Sequence, residues 1–175
     1  MFRLTESPRL SEFERQVLPH LDAAYNLARF LMRNDHDAED VVQEAALRAF
    51  RFFEGFRGEN SRAWFLRIVR NTSFTALKRH HTEEDNVVFD EELHGGENPP
   101  MTAGAALDRA QDRQTVRTAI EQLPAEFREV ITLRELEGLS YKEIADIAGV
   151  PIGTIMSRLA RGRRQLQMIL NPETK

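Results

Sequence analysis

The segment 139–166 constrains the fold most, because it has the pattern of two short helices joined by a tight turn. Ser140 and Glu143 have the S-x-x-E spacing of a capping box, which predicts that a helix begins there. Gly149 follows where a residue without a Cβ can adopt the left-handed conformation that ends a helix. Pro151 suits the first turn of the next helix. The segment therefore predicts a helix-turn-helix.

The second helix of this segment has one apolar face and one basic face. Ile155, Leu159 and Leu166 recur at helical spacing and predict the face that packs on the first helix. The seven residues 158–164 contain four arginines and no acid. In a helix-turn-helix, the first residues of the second helix reach base edges in the major groove, and later arginines hold phosphates. The alternative is a helical hairpin with a solvated arginine face, but the capped helix and glycine turn before it favour DNA binding.

The stretch 123–166, and most specifically the G-T-hydrophobic-x-S-R-L string at 153–159, closely resembles region four of bacterial sigma factors of the extracytoplasmic function (ECF) group. The resemblance implies that this region reads the −35 promoter element. Many members of the group have Lys or Arg at the position of Met156, so its side chain predicts a different −35 preference or a weaker dependence on that element. The candidate −35 residues are Lys142, Thr154, Met156, Ser157, Arg158, Arg161, Arg163 and Arg164.

The composition is that of a soluble globular protein of one domain or two small ones, with 175 residues of which 30% are charged and 41% hydrophobic. The absence of cysteine excludes disulfides and thiolate metal sites. No apolar run has the length of a signal peptide or a membrane span, so we expect a cytoplasmic protein without membrane insertion.

The net charge of −4 argues mildly against nucleic-acid binding until it is mapped along the chain. Residues 61–81 contain five Lys or Arg and no acid, whereas residues 82–101 contain seven acids and no Lys or Arg. Without those seven acids the net charge would be −4 + 7, or +3. Because the charges are segregated, the overall charge hides two basic segments.

Helical spacing dominates the N-terminal half and predicts an all-α fold. Apolar residues from Phe13 to Met32 keep this spacing, and Asp37 suits the N-cap of a second helix. We expect one side of that helix to be core: Ala38, Val41, Val42, Ala45, Ala49 and Phe52. A third helix is predicted from a Ser61 cap to about residue 81.

The third helix interleaves aromatic and basic residues, a combination that suits unpaired nucleic acid, since rings stack on bases and guanidinium groups hold the backbone. For Trp64, Phe65 and Phe74, a place in the core is an equally good explanation. The basic residues are harder to explain without an anionic partner, because like charges along one helix repel one another.

Together, the strings at 37–58 and 60–80 resemble region two of the same ECF sigma group. The resemblance covers about residues 12–81 and 105–168, and it implies contact with the clamp of the largest subunit of core RNA polymerase and with the melted −10 promoter element. The implied polymerase contacts are Asp37, Asp40, Gln43, Glu44 and Arg48. The implied −10 contacts are Ser61, Trp64, Arg67, Arg70, Asn71, Lys78 and Arg79. Thr75 stands where the family often has an acid, so it is assigned no role.

These regions predict two helical domains, 1–81 and 105–175, joined by a flexible acidic linker, 82–104. About 20 residues span at most roughly 70 Å, enough to bridge promoter elements about one and a half turns apart at roughly 34 Å per turn. As a hypothesis, the acidic segment occupies the positively charged channel of the polymerase. A solubilising tether is the alternative.

Enzyme classes find no support in the sequence, since it has no phosphate loop, no nucleophile motif and no metal-ligand spacing among its five histidines. No cofactor is expected. The resemblance implies three partners: core RNA polymerase, promoter DNA and an anti-sigma factor that clamps both domains. Two other binding roles stay open, a sigma mimic that sequesters an anti-sigma factor and a stand-alone dimeric repressor, although the sequence has no receiver domain and no coiled-coil seam.

Overall fold

The computed structural model describes residues 7–86 and 105–172 of the chain. Within these ranges the backbone forms helices and turns and no strand, which confirms the all-α prediction. The helices are α1 Pro8–Val17, α2 Leu21–Met32, α3 Asp35–Phe52, α4 Ser61–Asn86, α5 Ala105–Glu121, α6 Ala125–Ile131, α7 Tyr141–Ala148 and α8 Ile152–Leu170. Short 3₁₀ turns lie at Leu18–His20 and Phe53–Gly55, and a π-helical turn lies at Thr132–Leu136.

Helices α1 to α4 form the first half of the core, because each turns an apolar stripe toward the others. Leu27 and Leu31 of α2 and Phe65 of α4 are fully buried. The ring of Phe13 on α1 packs edge-on against Phe53, with centroids 5.5 Å apart. Burial of such side chains contributes roughly 1.5–3 kcal/mol each, so these contacts hold α1, α2 and α4 together.

Three details of this half differ from the sequence expectations. Asn34, not Asp37, is the N-cap of α3, since its side-chain oxygen accepts a hydrogen bond of 2.9 Å from the backbone N–H of Asp37. Phe52 is 61% exposed, because α3 ends there and the next residue, Phe53, turns into the core instead. Asn60, not the expected Ser61, caps α4, since its Oδ1 accepts a hydrogen bond of 3.0 Å from the backbone N–H of Ala63.

Helix α4 also runs further than expected, to Asn86 instead of about residue 81, and so includes the start of the acidic segment. The rest of the predicted acidic linker falls on residues 87–104, outside the described part of the chain.

The C-terminal half contains the predicted helix-turn-helix. Ser140 and Glu143 form the complete capping box, with Ser140 Oγ accepting from the N–H of Glu143 and the carboxylate accepting from the N–H of Ser140. Gly149 ends α7 at φ 68°, the left-handed conformation that the turn requires. Ile155 and Leu159 are buried as expected, and α8 can approach α6 closely because Gly162 has no side chain.

The two halves pack directly on each other, with α4 against α7 and α2 against α5 and α6. Their buried apolar side chains form one continuous cluster from Phe13 to Leu159. We call the surface where residues 7–86 meet residues 105–172 the inter-domain interface. It covers part of α4, the helix expected to bind DNA.

The positive φ at Gly149 gives a test of the turn. Gly149→Ala places a Cβ in the left-handed region, so we expect the free energy of unfolding to fall by about 1 kcal/mol in urea denaturation. Gly153→Ala is the matched control, because Gly153 lies in helical α8 with nothing within 4 Å of an added Cβ. The free energy of unfolding of Gly153→Ala should rise by about 0.5 kcal/mol. Equal effects of the two substitutions would contradict this account of the turn.

Candidate nucleic-acid interface

Helix α8 presents its basic residues in two different states. Arg161 and Arg164 are exposed, and neither makes a hydrogen bond or ion pair to any side chain in the described ranges. Arg158 lies 3.8 Å from Glu126, with its side chain only 20% exposed. Arg163 is bound by Glu135, whose Oε1 accepts from Nε at 2.8 Å. Two of the four predicted arginines are therefore free to meet phosphates, and two are held by acids of the same half.

The first turns of α8 carry the remaining −35 candidates. Thr154 is half-buried, and its backbone oxygen accepts the hydroxyl of Ser157 at 3.0 Å. Met156 is 54% exposed, and Lys142 is exposed on the neighbouring helix α7. Positioned by the capped α7 and the Gly149 turn, these residues lie at the end of the helix-turn-helix that would enter a major groove.

Helix α4 carries a second basic surface. Arg67, Asn71, Lys78 and Arg79 are all exposed; the first three share one side of the helix, and Arg79 lies about 100° around it from Lys78. Within the described residues, the three cations of this set have no acidic partner. We call these four residues the α4 stripe; its charge and length suit a nucleic-acid backbone.

The aromatic residues of α4 divide between the two alternatives left open by the sequence. Phe65 is fully buried core. Trp64 is half-buried, with its ring centroid 4.8 Å from that of Phe56. Phe74 lies beneath the guanidinium of Arg70, 4.3 Å from its ring centroid. Only Trp64 and Phe74 keep exposed area that could reach a base.

The expected polymerase contacts lie along the outer side of α3. Asp40, Gln43 and Glu44 are exposed, while Asp37 is half-buried in the first turn. Arg48 is half-buried and pairs with Glu44 one turn before it. Leu47, in the same stretch, is 70% exposed and has the size of a docking contact, although it is not among the expected polymerase contacts. A large apolar side chain at the centre of a charged helix face is the sequence signal that identifies it.

Two arginines of α4 are engaged at the inter-domain interface. Arg70 Nε donates a 2.7 Å hydrogen bond to Oε1 of Glu129 on α6. Arg62 Nη2 lies 3.1 Å from Oε2 of Glu137, just after the π-helical turn, and 3.0 Å from its backbone oxygen. Arg70 is an expected −10 contact, and in this structure it is paired with an acid of the other half.

Further polar contacts connect the same two halves. Asn60 donates to Glu143 at 3.0 Å, and this carboxylate also closes the capping box of α7. Ser61, another −10 candidate, is half-buried with its hydroxyl 3.4 Å from Nε2 of His20 within the first half. The N-terminal end of α4 is therefore occupied by intramolecular contacts, whereas the α4 stripe is open.

Glu129 is the most deeply buried charge of the interface. Its residue exposure is 0%, and its Oε2 has no hydrogen-bond partner among the described residues. Burial raises the pKa of this carboxyl, and the hydrogen bond from Arg70 opposes the rise only in part. An ion pair of this kind is expensive to desolvate and depends on its single partner.

Arg128, the residue before it, is also buried and reaches across the interface. Its Nη2 donates to the backbone oxygen of Leu31 at 3.1 Å, and its Nη1 donates to that of Leu123 at 2.5 Å. Burial lowers the pKa of Arg128 to about 10. This guanidinium thus satisfies a carbonyl at the C-terminal end of α2, where a helix leaves orphan acceptors.

The interface residues Arg62, Arg128, Glu129 and Glu137 were missed at the sequence level. The charged pair Arg128–Glu129 between apolar Phe127 and Val130 is the one available signal, because it interrupts a run that is otherwise buried. In the described ranges, no group of three or more His, Asp or Glu side chains could hold a metal ion. No helix of residues 7–86 and 105–172 is long and apolar enough to cross a membrane.

Comparison with known proteins gives two family matches. The model described as Sigma-70 region 2 matches residues 17–83, and that described as Sigma-70, region 4 matches residues 113–166. The RNA polymerase sigma-H factor of Pseudomonas aeruginosa is 33% identical over 91% of this chain and 86% of its own length. The ECF RNA polymerase sigma-E factor of Haemophilus influenzae is 38% identical over 83% of this chain and 80% of its own length.

Among solved structures, the sigma factor RpoE of Bartonella quintana, in complex with the anti-sigma factor NepR, is similar in sequence and fold. It is 30% identical, has a TM-score of 0.72, and the match covers 93% of this chain and 99% of that one. Because the match covers 93% of this chain, it includes both the residues of region 2 and those of region 4.

The raised pKa of Glu129 predicts a pH effect with a definite sign. A carboxyl whose folded pKa lies above its ordinary value of 4.5 binds a proton more tightly in the folded state, so its contribution to stability falls as pH rises through that window. We therefore expect the unfolding free energy of Glu129→Gln, minus that of wild type, to increase as pH rises from about 4.5, measured by urea denaturation at several pH values.

The matched control is Glu143→Gln, the same substitution at a carboxyl whose pKa is lowered, chiefly by the backbone hydrogen bond from Ser140. The difference in unfolding free energy, Glu143→Gln minus wild type, should increase as pH falls below about 4.5, because a lowered pKa contributes stability that is present above the unfolded value and is lost below it. Parallel pH profiles for the two variants would refute the assignment of a raised pKa to Glu129.

Proposed function

This chain belongs to the sigma-70 family, in the ECF group, and from that premise we propose that it is a promoter-specificity subunit that binds core RNA polymerase and directs transcription initiation. The observation that carries the proposal is that each matched region presents a helix with free cations, the α4 stripe in one and Arg161 and Arg164 of α8 in the other. Two separate basic surfaces on one chain suit two separate promoter elements.

In this proposal the chain is divided as expected from the sequence, into region two (1–81), an acidic linker (82–104) and region four (105–175). The two family matches, 17–83 and 113–166, support the division. In the same proposal the protein has no catalytic activity of its own. It acts through the polymerase in the cytoplasm, where transcription takes place.

Region two would bind the polymerase clamp through α3. The acids Asp40 and Glu44 and the amide of Gln43 are exposed, and Leu47 adds an apolar contact among them. A polar rim around a desolvated apolar residue is the usual composition of a specific protein interface. Asp37 and Arg48 are half-buried and would contribute at its edges.

The α4 stripe would hold the −10 element once its strands separate. Its exposed cations suit phosphates, and half-buried Trp64 and Phe74 lie near enough on the same helix to stack on exposed bases. Region four would read the −35 element with the N-terminal end of α8, while Arg161 and Arg164 hold phosphates further along the helix.

The packing of the two halves supports a further part of the proposal. Arg62 and Arg70 of α4 face acids of region four, so the closed chain holds the start of α4 away from DNA. Promoter binding by these arginines requires the inter-domain interface to open. The closed arrangement is the state in which an anti-sigma factor would hold this protein, as the likeness to RpoE in its complex with NepR supports.

Run-off transcription with purified core polymerase on a promoter library tests the function. We expect initiation at defined promoters only when this protein is present, and a marked loss with Arg161→Ala plus Arg164→Ala. Because each arginine would neutralise about one phosphate, the slope of log affinity against log salt should fall by about 2. The control is Arg15→Ala, because Arg15 is an exposed arginine on α1 that pairs with Glu12. This substitution should leave both the initiation and the salt slope unchanged.

Other outcomes of that experiment point to different functions. Tight DNA binding without core polymerase, and no initiation, would indicate a repressor. No initiation and no DNA binding would indicate a sigma mimic.

Opening of the interface has its own test. The chain has no cysteine, so Glu14→Cys plus Gln167→Cys, both exposed positions, can carry a fluorescent donor and acceptor. We expect high energy transfer in the free protein and a drop when core polymerase binds. Arg70→Met should lower transfer in the free protein as well, because it leaves buried Glu129 unpaired.

The control for this variant is Arg67→Met on the same helix, since Arg67 is exposed and makes no hydrogen bond or ion pair to region four in the described part of the chain. It should retain the transfer efficiency of the parent. Unchanged transfer on polymerase binding would show that promoter recognition proceeds from the closed form.

A further inference from the structure

The N-terminal end of α8 presents two large apolar side chains to solvent. Ile152 and Met156 are 44% and 54% exposed, respectively, and lie one helical turn apart, so they share a face. Gly153 beside them has no side chain, and nothing lies within 4 Å of the place where its Cβ would be. We call Ile152 and Met156 the apolar pair.

Two polar side chains nearby, those of Ser157 and Arg158, are held by contacts within region four. The hydroxyl of Ser157 donates back to the oxygen of Thr154 at 3.0 Å, as in an ordinary helix interior. Arg158 points to Glu126 and is largely covered. The free arginines, Arg161 and Arg164, begin more than a turn beyond Met156, where a helix entering a groove meets phosphates.

An exposed apolar pair next to free cations fits DNA better than a protein surface. The arginines call for a polyanion, and within the major groove the one apolar feature of the base edges is the C5-methyl group of thymine. Guanine would present two acceptors to side chains that cannot donate to them, and those acceptors would lose water without gaining a hydrogen bond. The chemistry of this end of α8 thus selects one base.

We propose that Ile152 and Met156 read the methyl groups of adjacent thymines in the −35 element, which makes them specificity-determining residues for this promoter class. The inference rests on the proposed function, in which α8 enters the major groove. The apolar pair gives sequence preference, while Arg161 and Arg164 give affinity without it.

Deoxyuridine substitution tests the contact, because it removes the methyl group and leaves base pairing intact. The probe is a promoter selected in the run-off library, with each −35 thymine replaced in turn and bound by the reconstituted holoenzyme. Loss of one buried methyl group corresponds to about a 4-fold loss of affinity, expected at one or two thymines. With Met156→Ala, affinity for the thymine promoter should fall by a similar factor, and deoxyuridine at the thymine that Met156 reads should have no further effect.

The matched control is Met168→Ala, which truncates the same residue type on the same helix at a site 66% exposed. It should leave the response to deoxyuridine intact. Wild-type indifference to deoxyuridine, with initiation still dependent on Arg161 and Arg164, would overturn this inference and leave the proposed function standing. Absence of promoter-specific initiation would remove the proposed function itself. If Met156→Ala weakened core polymerase binding and left base preference unchanged, the pair would be a protein contact and the inference would be wrong.

Discussion

The packing of the two halves depends on a buried carboxylate, that of Glu129. One of its oxygens has Arg70 of the opposite half at 2.7 Å, and the other has no partner among the described residues. Taking such a pair out of water costs several kcal/mol per ion, and the attraction returns this only with complete hydrogen bonding. The apolar contacts of α4 with α7 and of α2 with α6 must supply the remainder. An interface with this balance is closed by burial and weakened by its own charges, which suits a surface that has to open.

The guanidinium groups of the interface could bind either of two kinds of anion, carboxylates or phosphates. Arg62 and Arg70 meet carboxylates in the closed chain, and DNA phosphates would offer acceptors of the same charge. In the proposed function, region four therefore competes with the promoter for these two arginines of region two. The competition does not reach the α4 stripe, whose cations are exposed. A chain with a net charge of −4 can therefore present basic surfaces to DNA and still neutralise other arginines internally.

The helix-turn-helix could be predicted nearly to the residue because its signals are local. The Ser140–Glu143 box and the left-handed Gly149 lie within ten residues and depend on backbone chemistry alone. Helical spacing predicted the wrong core residue at the end of α3. The helix ends at Phe52, whose side chain is exposed, and the adjacent Phe53 in the following turn is buried in its place. The pair Arg70–Glu129 joins residues 59 positions apart, and no spacing rule connects positions so distant.

Acids of region four pair with some arginines of α8 and leave others unpaired among the described residues. Glu126 and Glu135 hold Arg158 and Arg163 against the helix-turn-helix, so these guanidinium groups stiffen the scaffold and are less available to DNA. Arg161 and Arg164 are left free, and the apolar side chains of Ile152 and Met156 are left exposed. Since a phosphate contact carries no sequence information, four arginines in seven residues would by themselves yield strong and indiscriminate binding. Pairing half of them internally lowers that background, which lets a weak apolar contact to a base decide which sequence is bound.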